Sequence, residues 1–348
     1  MRGFRDRDFI QTRENFFFCV VGSVHPLKRV ISYIKYVPSI NGRWGRGEKK
    51  FNRILKKYAI PNLLDTFNFL EQKYPHYLFN SPVDNIKITA VPHQNIKGHF
   101  MPEHKLSQLR EASQLDSLQK TLIRFTRFLE DTTDVSKGSL GVTGSILLDI
   151  HQPAFSDIDV TVYGVEASWA LHEALTENRG NELPIKYLEG KALKEWCIKK
   201  SLQYPMSAKE ALRIYRRKWN LGVFEGKWVS IHPVKLEHEV TEKYGQNEYI
   251  PSSQVSMQAV VSDNTCSLFL PATYYVKDVK FLDSPHLESV TEVVSYEGLY
   301  DSLAENGETI HVKGKLERVI EKDSNNEHYR VLIGSPEGKG KEYIKLIE

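Results

Sequence analysis

GVTGSILLDIHQPAFSDIDVTVYG, Gly141 to Gly164, is the stretch from which the organisation of this chain follows. It holds a Gly144-Ser145 turn, eleven intervening residues, and an alternating run in which Asp157 and Asp159 stand two apart. Side chains of a strand alternate between faces, so Asp157, Asp159 and Thr161 share one face and Ile158, Val160 and Val162 the other. The apolar face can pack on a helix while the carboxylates look onto an open surface. Two carboxylates side by side repel each other, and crowding them is costly unless a cation compensates. Hard oxygen donors of this kind suit Mg²⁺ (or Mn²⁺), with Mg²⁺ held by one or two carboxylates together with substrate phosphates. If a helix begins at Ile146 to Leu148, the backbone N–H groups of Gly144 and Ser145 point outwards and can receive a phosphate. Gly144, lacking a side chain, permits close approach. A phosphate cradle followed by paired carboxylates is what metal-assisted phosphoryl transfer needs.

Gly-Ser, the spacer and then Asp-apolar-Asp-apolar resemble the signature of the polymerase-β-type nucleotidyltransferase superfamily, above all in the form SDIDV with Ser156 ahead of the pair. The flanks are similar to an archaeal family known as predicted nucleotidyltransferases, through RDRDFI (5–10), CVVG (19–22) and His25-Pro26. The likeness continues in VVSYEGLY (293–300), VKGKLERV (312–319) and GKEYIKL (340–346). The resemblance implies transfer of a nucleoside monophosphate from an NTP to a hydroxyl. Gly144 and Ser145 would hold the triphosphate, and Asp157 and Asp159 would ligate the metal.

Members of the superfamily usually carry a third carboxylate on a later strand. The later strand here reads as Lys227 to His232, the second arm of a hairpin turned at Glu225-Gly226. Trp228, Ser230 and His232 share one face, and none is acidic. His232 is a candidate ligand or base, since neutral imidazole serves as either. Glu225, Glu237 and Glu239 lie nearby in sequence but off the strand's regular face. This departure keeps a rival in play, an RNA-binding protein on a catalytically inactive nucleotidyltransferase scaffold.

Across 348 residues, 41% are hydrophobic and 26% charged, the profile of a soluble globular protein with two or three domains. Cys19, Cys197 and Cys266 form neither a zinc spacing nor a disulfide frame, which fits a reducing cytoplasm. Phe16 to Val21 is too short to span a bilayer, so no membrane partner is expected. The net charge is +3, yet residues 1–60 hold fourteen basic side chains against four acidic ones. A basic end on a near-neutral chain suggests a polyanion, here a structured, tRNA-like or other RNA.

Asn15 to Gly22 and Val30 to Val37 read as strands, with His25-Pro26 between them. The next segment, NGRWGRGEKKFNRILKK (41–57), reads as a basic loop leading to a helix. Arg43, Trp44, Arg46, Lys49 and Lys50 combine an aromatic ring with cations, which suits base stacking beside phosphate contacts. Pro61 to Tyr74 has helical spacing through Leu63, Leu64, Phe67 and Leu70. Ile86 to Val91 reads as a strand, and His93, His99 and His104 as surface residues.

Glu103 to Glu130 reads as one long helix, with apolar residues three and four apart from Leu106 to Leu129. Helices follow at Val165–Leu175, Glu189–Leu202 and 207–219, the last with Ser207 and Glu210 as a capping box. Arg213, Arg216 and Arg217 share a face of that last helix and are candidates for clamping a triphosphate. From Ile250 the chain is β-rich, with strands expected at 255–261, 266–270, 274–281, 292–296, 307–321, 328–334 and 341–347. The expected fold is α+β. It comprises a basic N-terminal α/β module (1–100), a nucleotidyltransferase-type mixed sheet with helices (101–248), and a C-terminal barrel or OB-like domain (249–348).

Overall fold

The computed structural model describes residues 2–54, 60–133, 135–179, 183–283 and 289–347. The chain mixes helices and sheets and divides into two compact units that interleave along the sequence. The first takes Met1–Ile54, Ala90–Leu188 and Trp219–Thr241; the second takes Leu55–Thr89, Glu189–Lys218 and Glu242–Glu348. These limits differ from those read along the linear chain. The basic N-terminal segment is built into the same unit as Asp157 and Asp159, and the helices after residue 189 belong with the C-terminal strands. Among the described residues no helix is long and apolar enough to cross a membrane.

Two sheets make the first unit. The N-terminal one runs Trp44–Arg46, Lys49–Arg53, Arg29–Pro38, Phe17–Val20, Phe9–Thr12, Ile96–Phe100, with each neighbour antiparallel. The basic stretch after Asn41 is therefore a hairpin rather than a loop, with Trp44 opposite Phe51 and Gly45 opposite Lys50. Strand alternation leaves Lys50 exposed and turns Phe51 inwards. Phe51 joins a core of Phe9, Phe17 and Tyr36 with Leu147, Leu148 and Ile150. His93 and His104 are exposed as expected, but His99 is on a strand, and its Nε2 lies 2.7 Å from Asp8.

The second sheet runs Ile185–Lys186, Leu221–Phe224, Lys227–Val234, Ile158–Tyr163, Leu140–Thr143. Lys227–Val234 and Ile158–Tyr163 are parallel and the other pairs antiparallel. Glu225 and Gly226, at φ of 47° and 74°, make the tight turn expected from the sequence. Ile158, Val160, Val162, Val229 and Ile231 are buried, and the helices Ser117–Thr133 and Val165–Glu177 contact this sheet. Each such side chain contributes about 1.5–3 kcal/mol on burial. That preference fixes which face turns inwards and leaves Asp159, Ser230 and His232 on the other.

The helix expected from Glu103 to Glu130 is two helices, Pro102–Glu111 and Ser117–Thr133. Asp116 makes the break. Its Oδ1 accepts the N–H groups of Leu118 and Gln119, each at 3.0 Å, while Gln119 Oε1 accepts the Asp116 N–H at 3.0 Å. A capping residue takes a non-helical backbone, so this reciprocal cap ends the continuous helix.

The second unit is organised on a closed five-stranded barrel. Asn247–Asp263 pairs with both Ala272–Phe281 and Thr309–Glu321, Ala272–Phe281 with Val290–Ser295, and Glu327–Ile333 closes the circuit between Val290–Ser295 and Thr309–Glu321. Tyr343–Leu346 adds to the other half of Thr309–Glu321. Cys266 to Leu270, expected as a strand, is a run of turns held by short-range bonds such as Ser267 N–H to Asn264 O. The helices Gly190–Ser201 and Ala208–Arg217 flank Met206, which joins Cys197, Ala211 and Ile214 in the barrel core. Ser207 and Glu210 form the expected capping box. In the helix Ile60–Lys73, Leu70 is buried, whereas the Leu63 and Leu64 side chains lie outside the described residues.

Candidate active site

Thr143 stands opposite Asp159 in the antiparallel pair, so the next residue, Gly144, comes against the Asp159 side chain. Gly144 has φ of +70°, and a Cβ added there would lie 2.5 Å from Asp159 Oδ2. Only glycine fits both the backbone and the space. Ser145 is 2% exposed and its Oγ has no hydrogen-bond partner among the described residues. An unmatched buried hydroxyl costs about 1–3 kcal/mol, which an entering ligand oxygen would relieve. The helix expected to start here is a single turn, Gly144–Leu147, and Ile150 N–H returns to Ser145 O at 3.1 Å. A single turn has little dipole, so close approach and the unmatched hydroxyl are what the seat offers an anion.

Asp157 sits just before the strand and Asp159 on it. Ser230 is the register partner of Asp159, and its hydroxyl donates to Asp159 Oδ1 at 2.5 Å. His232 Nε2 is 2.9 Å from the same hydroxyl and 3.8 Å from Asp159 Oδ1. Because the Ser230 proton goes to the carboxylate, the hydroxyl accepts from His232, which places the ring proton on Nε2. Burial and the nearby Arg7 guanidinium lower the pKa of His232, leaving it neutral at neutral pH. The charge of Asp159, and then burial, push Asp157 up to about 6. Burial acts against ionisation of Asp159, but His232, Lys35 and the Ser230 hydroxyl outweigh it and hold this carboxyl well below the usual range.

The cations around the pair come from the N-terminal sheet. Arg53 and Lys35 both favour the ionised form of Asp157, and Lys35 also that of Asp159. Lys35 is buried, with Nζ 5.4 Å from the Phe9 ring centroid. Arg7 lies in an uncommon backbone conformation, φ 68°, and its carbonyl accepts the Thr143 hydroxyl at 2.7 Å, one residue before Gly144. Its Nε is 3.2 Å from Asp6 Oδ2 without hydrogen-bond alignment. Asp6 accepts the Gly22 N–H at 3.0 Å, burial raises its pKa, and its charge reaches His232. Asp6 is thus a carboxylate brought close to the site from the far end of the sequence.

None of the acidic residues near the hairpin fills that place. Glu225 pairs with Arg124, Glu237 with Arg5, and Glu239 accepts the Val165 N–H at 2.8 Å, at the start of a helix. Among the described residues no group of three or more His, Cys, Asp or Glu could hold a metal ion. The donor chemistry nevertheless fits a divalent cation that takes its remaining ligands from phosphate and water. Two oxygen donors repel each other strongly enough to push one up to about 6, so both are ionised at neutral pH only at a cost that a cation beside them would offset.

An uncharacterized protein of Methanocaldococcus jannaschii is 29% identical to this chain over 355 residues, covering 98% of each. No family profile and no solved structure matches the chain.

The residues expected to contact nucleic acid divide. Arg43 and Trp44 come beside Phe155, two residues before Asp157. The Arg43 guanidinium lies 5.0 Å from the Phe155 ring centroid, and Trp44 meets Phe155 edge-on at 5.8 Å. The hairpin is tied to this loop by Gly45 N–H to Ile150 O at 2.7 Å and by Gln152 Nε2 to Gly45 O at 2.5 Å. Lys49 and Lys50 are exposed, and the Arg46 side chain lies outside the described residues. Arg213, Arg216 and Arg217 belong to the second unit, where Arg217 is paired with Glu305 and Glu308. Sequence reasoning gave no role to Arg7, Lys35, Arg53 and Asp6; the signals were the local basic excess for the three cations and the RDRDFI likeness for Asp6 and Arg7.

Proposed function

We propose that this protein is a metal-dependent nucleotidyltransferase acting on RNA. The hydroxyl oxygen of the acceptor attacks the α-phosphorus of an NTP, the bond to the β-phosphate bridging oxygen breaks, and pyrophosphate leaves. Mg²⁺ or Mn²⁺ held by Asp157 and Asp159 supplies neutralisation of the phosphate charge. Ser230 and His232 keep Asp159 ionised and oriented. Gly144 lets the triphosphate approach the carboxylates, Ser145 offers it a hydroxyl, and Arg7, Lys35 and Arg53 supply positive charge. The attacking hydroxyl's proton passes to a carboxylate of the pair.

One observation carries this reading: the missing Gly144 side chain would touch Asp159, so the anion seat and that carboxylate adjoin along one wall. For RNA as acceptor, support comes from the basic N-terminal sheet and from the barrel, whose circuit resembles an OB-type Greek key. Exposed Tyr275, Lys277 and Lys280 lie on its second strand. Incubation with each labelled NTP, Mg²⁺ or Mn²⁺ and total RNA tests the proposal. Label should enter RNA, and Asp157→Asn with Asp159→Asn should abolish it. No transfer, or transfer indifferent to both changes, sinks it.

A second reading has its own support, because the strand Lys227–Val234 carries no carboxylate and Lys35 and Arg53 already offset the acidic pair. On that reading the protein binds RNA in a salt-sensitive, metal-independent way that survives loss of both aspartates.

A further inference from the structure

We propose that Phe155 and Trp228 hold a nucleobase beside Asp157, with Arg43 over the Phe155 ring and Trp44 edge-on to it. Phe155 is 46% exposed and Trp228 48% exposed. Phe155 stands two residues before Asp157. Trp228 alternates onto the face of Ser230 and His232 and lies one register step before the Ile158–Val229 pair, which puts it beside Asp157. Lys227 Nζ donates to Pro153 O at 2.6 Å and so ties the two aromatic segments together.

The loop carrying Phe155 is pinned rather than loose. Ser156 Oγ accepts the Gln152 N–H at 2.9 Å, His151 Nε2 lies 2.8 Å from Asp116 Oδ2, and Gln152 is bonded to Gly45. Leaving two large rings half in water forgoes apolar burial. Rings with a guanidinium over one of them, next to a carboxylate pair, are the equipment for stacking a π-system that carries phosphate. The base belongs to the nucleotide or to the terminal residue of the acceptor strand; the chemistry recognised is the same.

This site rests on the nucleotidyl-transfer reading for what lies at Asp157, but its test measures binding. Full-length protein in Mg²⁺ is titrated with one ligand at a time, so that no transfer can occur, and tryptophan fluorescence and heat are recorded. The ligands are the four ribonucleoside triphosphates, inorganic tripolyphosphate and single-stranded hexa-adenylate. Phe155→Leu and Trp228→Leu keep an apolar side chain at exposed positions, and circular dichroism confirms folding. Each change should weaken at least one nucleoside triphosphate on the order of tenfold and leave tripolyphosphate unchanged. Weakening confined to hexa-adenylate also upholds the base site and assigns it to the acceptor. Nucleotides that bind no better than tripolyphosphate, together with variants that alter no ligand, overturn it. That result with label transfer intact removes the base site alone; absent transfer with a base-dependent signal removes the reaction alone.

Discussion

Replacing Asp157 by asparagine should stabilise the metal-free protein at neutral pH and leave it unchanged in acid. The Asp159 charge, and then burial, push Asp157 up to about 6, against 3.8 for the free group. The folded chain therefore binds this proton more tightly than the unfolded chain. The contribution of Asp157 to stability is greatest below about pH 4, falls as pH rises from about 4 to about 6, and is flat above that. The separation of about two pH units corresponds to about 3 kcal/mol as an upper value. Asp157 is partly exposed, and screening by water brings the expected gain to about 1–2 kcal/mol.

Urea denaturation of wild type and Asp157→Asn, followed by tryptophan fluorescence at about pH 4 and about pH 7.5, reads the difference. Trp44, Trp169, Trp219 and Trp228 all lie in the first unit, so the signal reports mainly on it. Added Mg²⁺ should raise the stability of the wild type more than that of the variant, because only the wild type has both charges for it to compensate. A variant less stable at neutral pH, or a gain of equal size at both pH values, refutes the reasoning.

Gly144→Ala adds about 1–2 kcal/mol of left-handed backbone strain and drives a methyl against Asp159, so transfer should fall at least about tenfold; a normal rate counts against a shared wall. Asp116→Ala removes a helix cap and leaves His151 without its carboxylate, lowering stability by about 1–2 kcal/mol in the same denaturation assay. In the barrel, Glu317 lies 2.9 Å from Lys315 Nζ and 2.9 Å from Arg330 Nε, all three buried. Glu317→Ala takes this carboxylate from two buried cations, leaving Lys315 with Glu337 at 3.6 Å, and should cost about 3–5 kcal/mol, read as a lowered Tm; a change below about 1 kcal/mol means the cations find other partners or water.

The alternation of SDIDV, with its apolar face, already specified a strand with one buried side, and the structure has Ile158, Val160 and Val162 buried and Asp159 on the other face. Glu225-Gly226 and Ser207 with Glu210 were equally legible, because a turn and a cap are decided within four residues. Asp116 was legible in principle, as Asp followed three residues later by Gln119, yet the helical period running through it hid the break. The hairpin at Trp44 was not, since what stabilises it is Phe51 entering a core formed with Phe9, Tyr36 and Leu147. Local sequence therefore determined the carboxylate pair, the glycine before it and the absence of an acid on the strand of Ser230. Only the tertiary structure decided that Arg7, Lys35 and Arg53 come around that pair and that Asp6 comes near His232, because charges far apart in sequence meet through strand pairing and shared apolar burial, which no local pattern encodes.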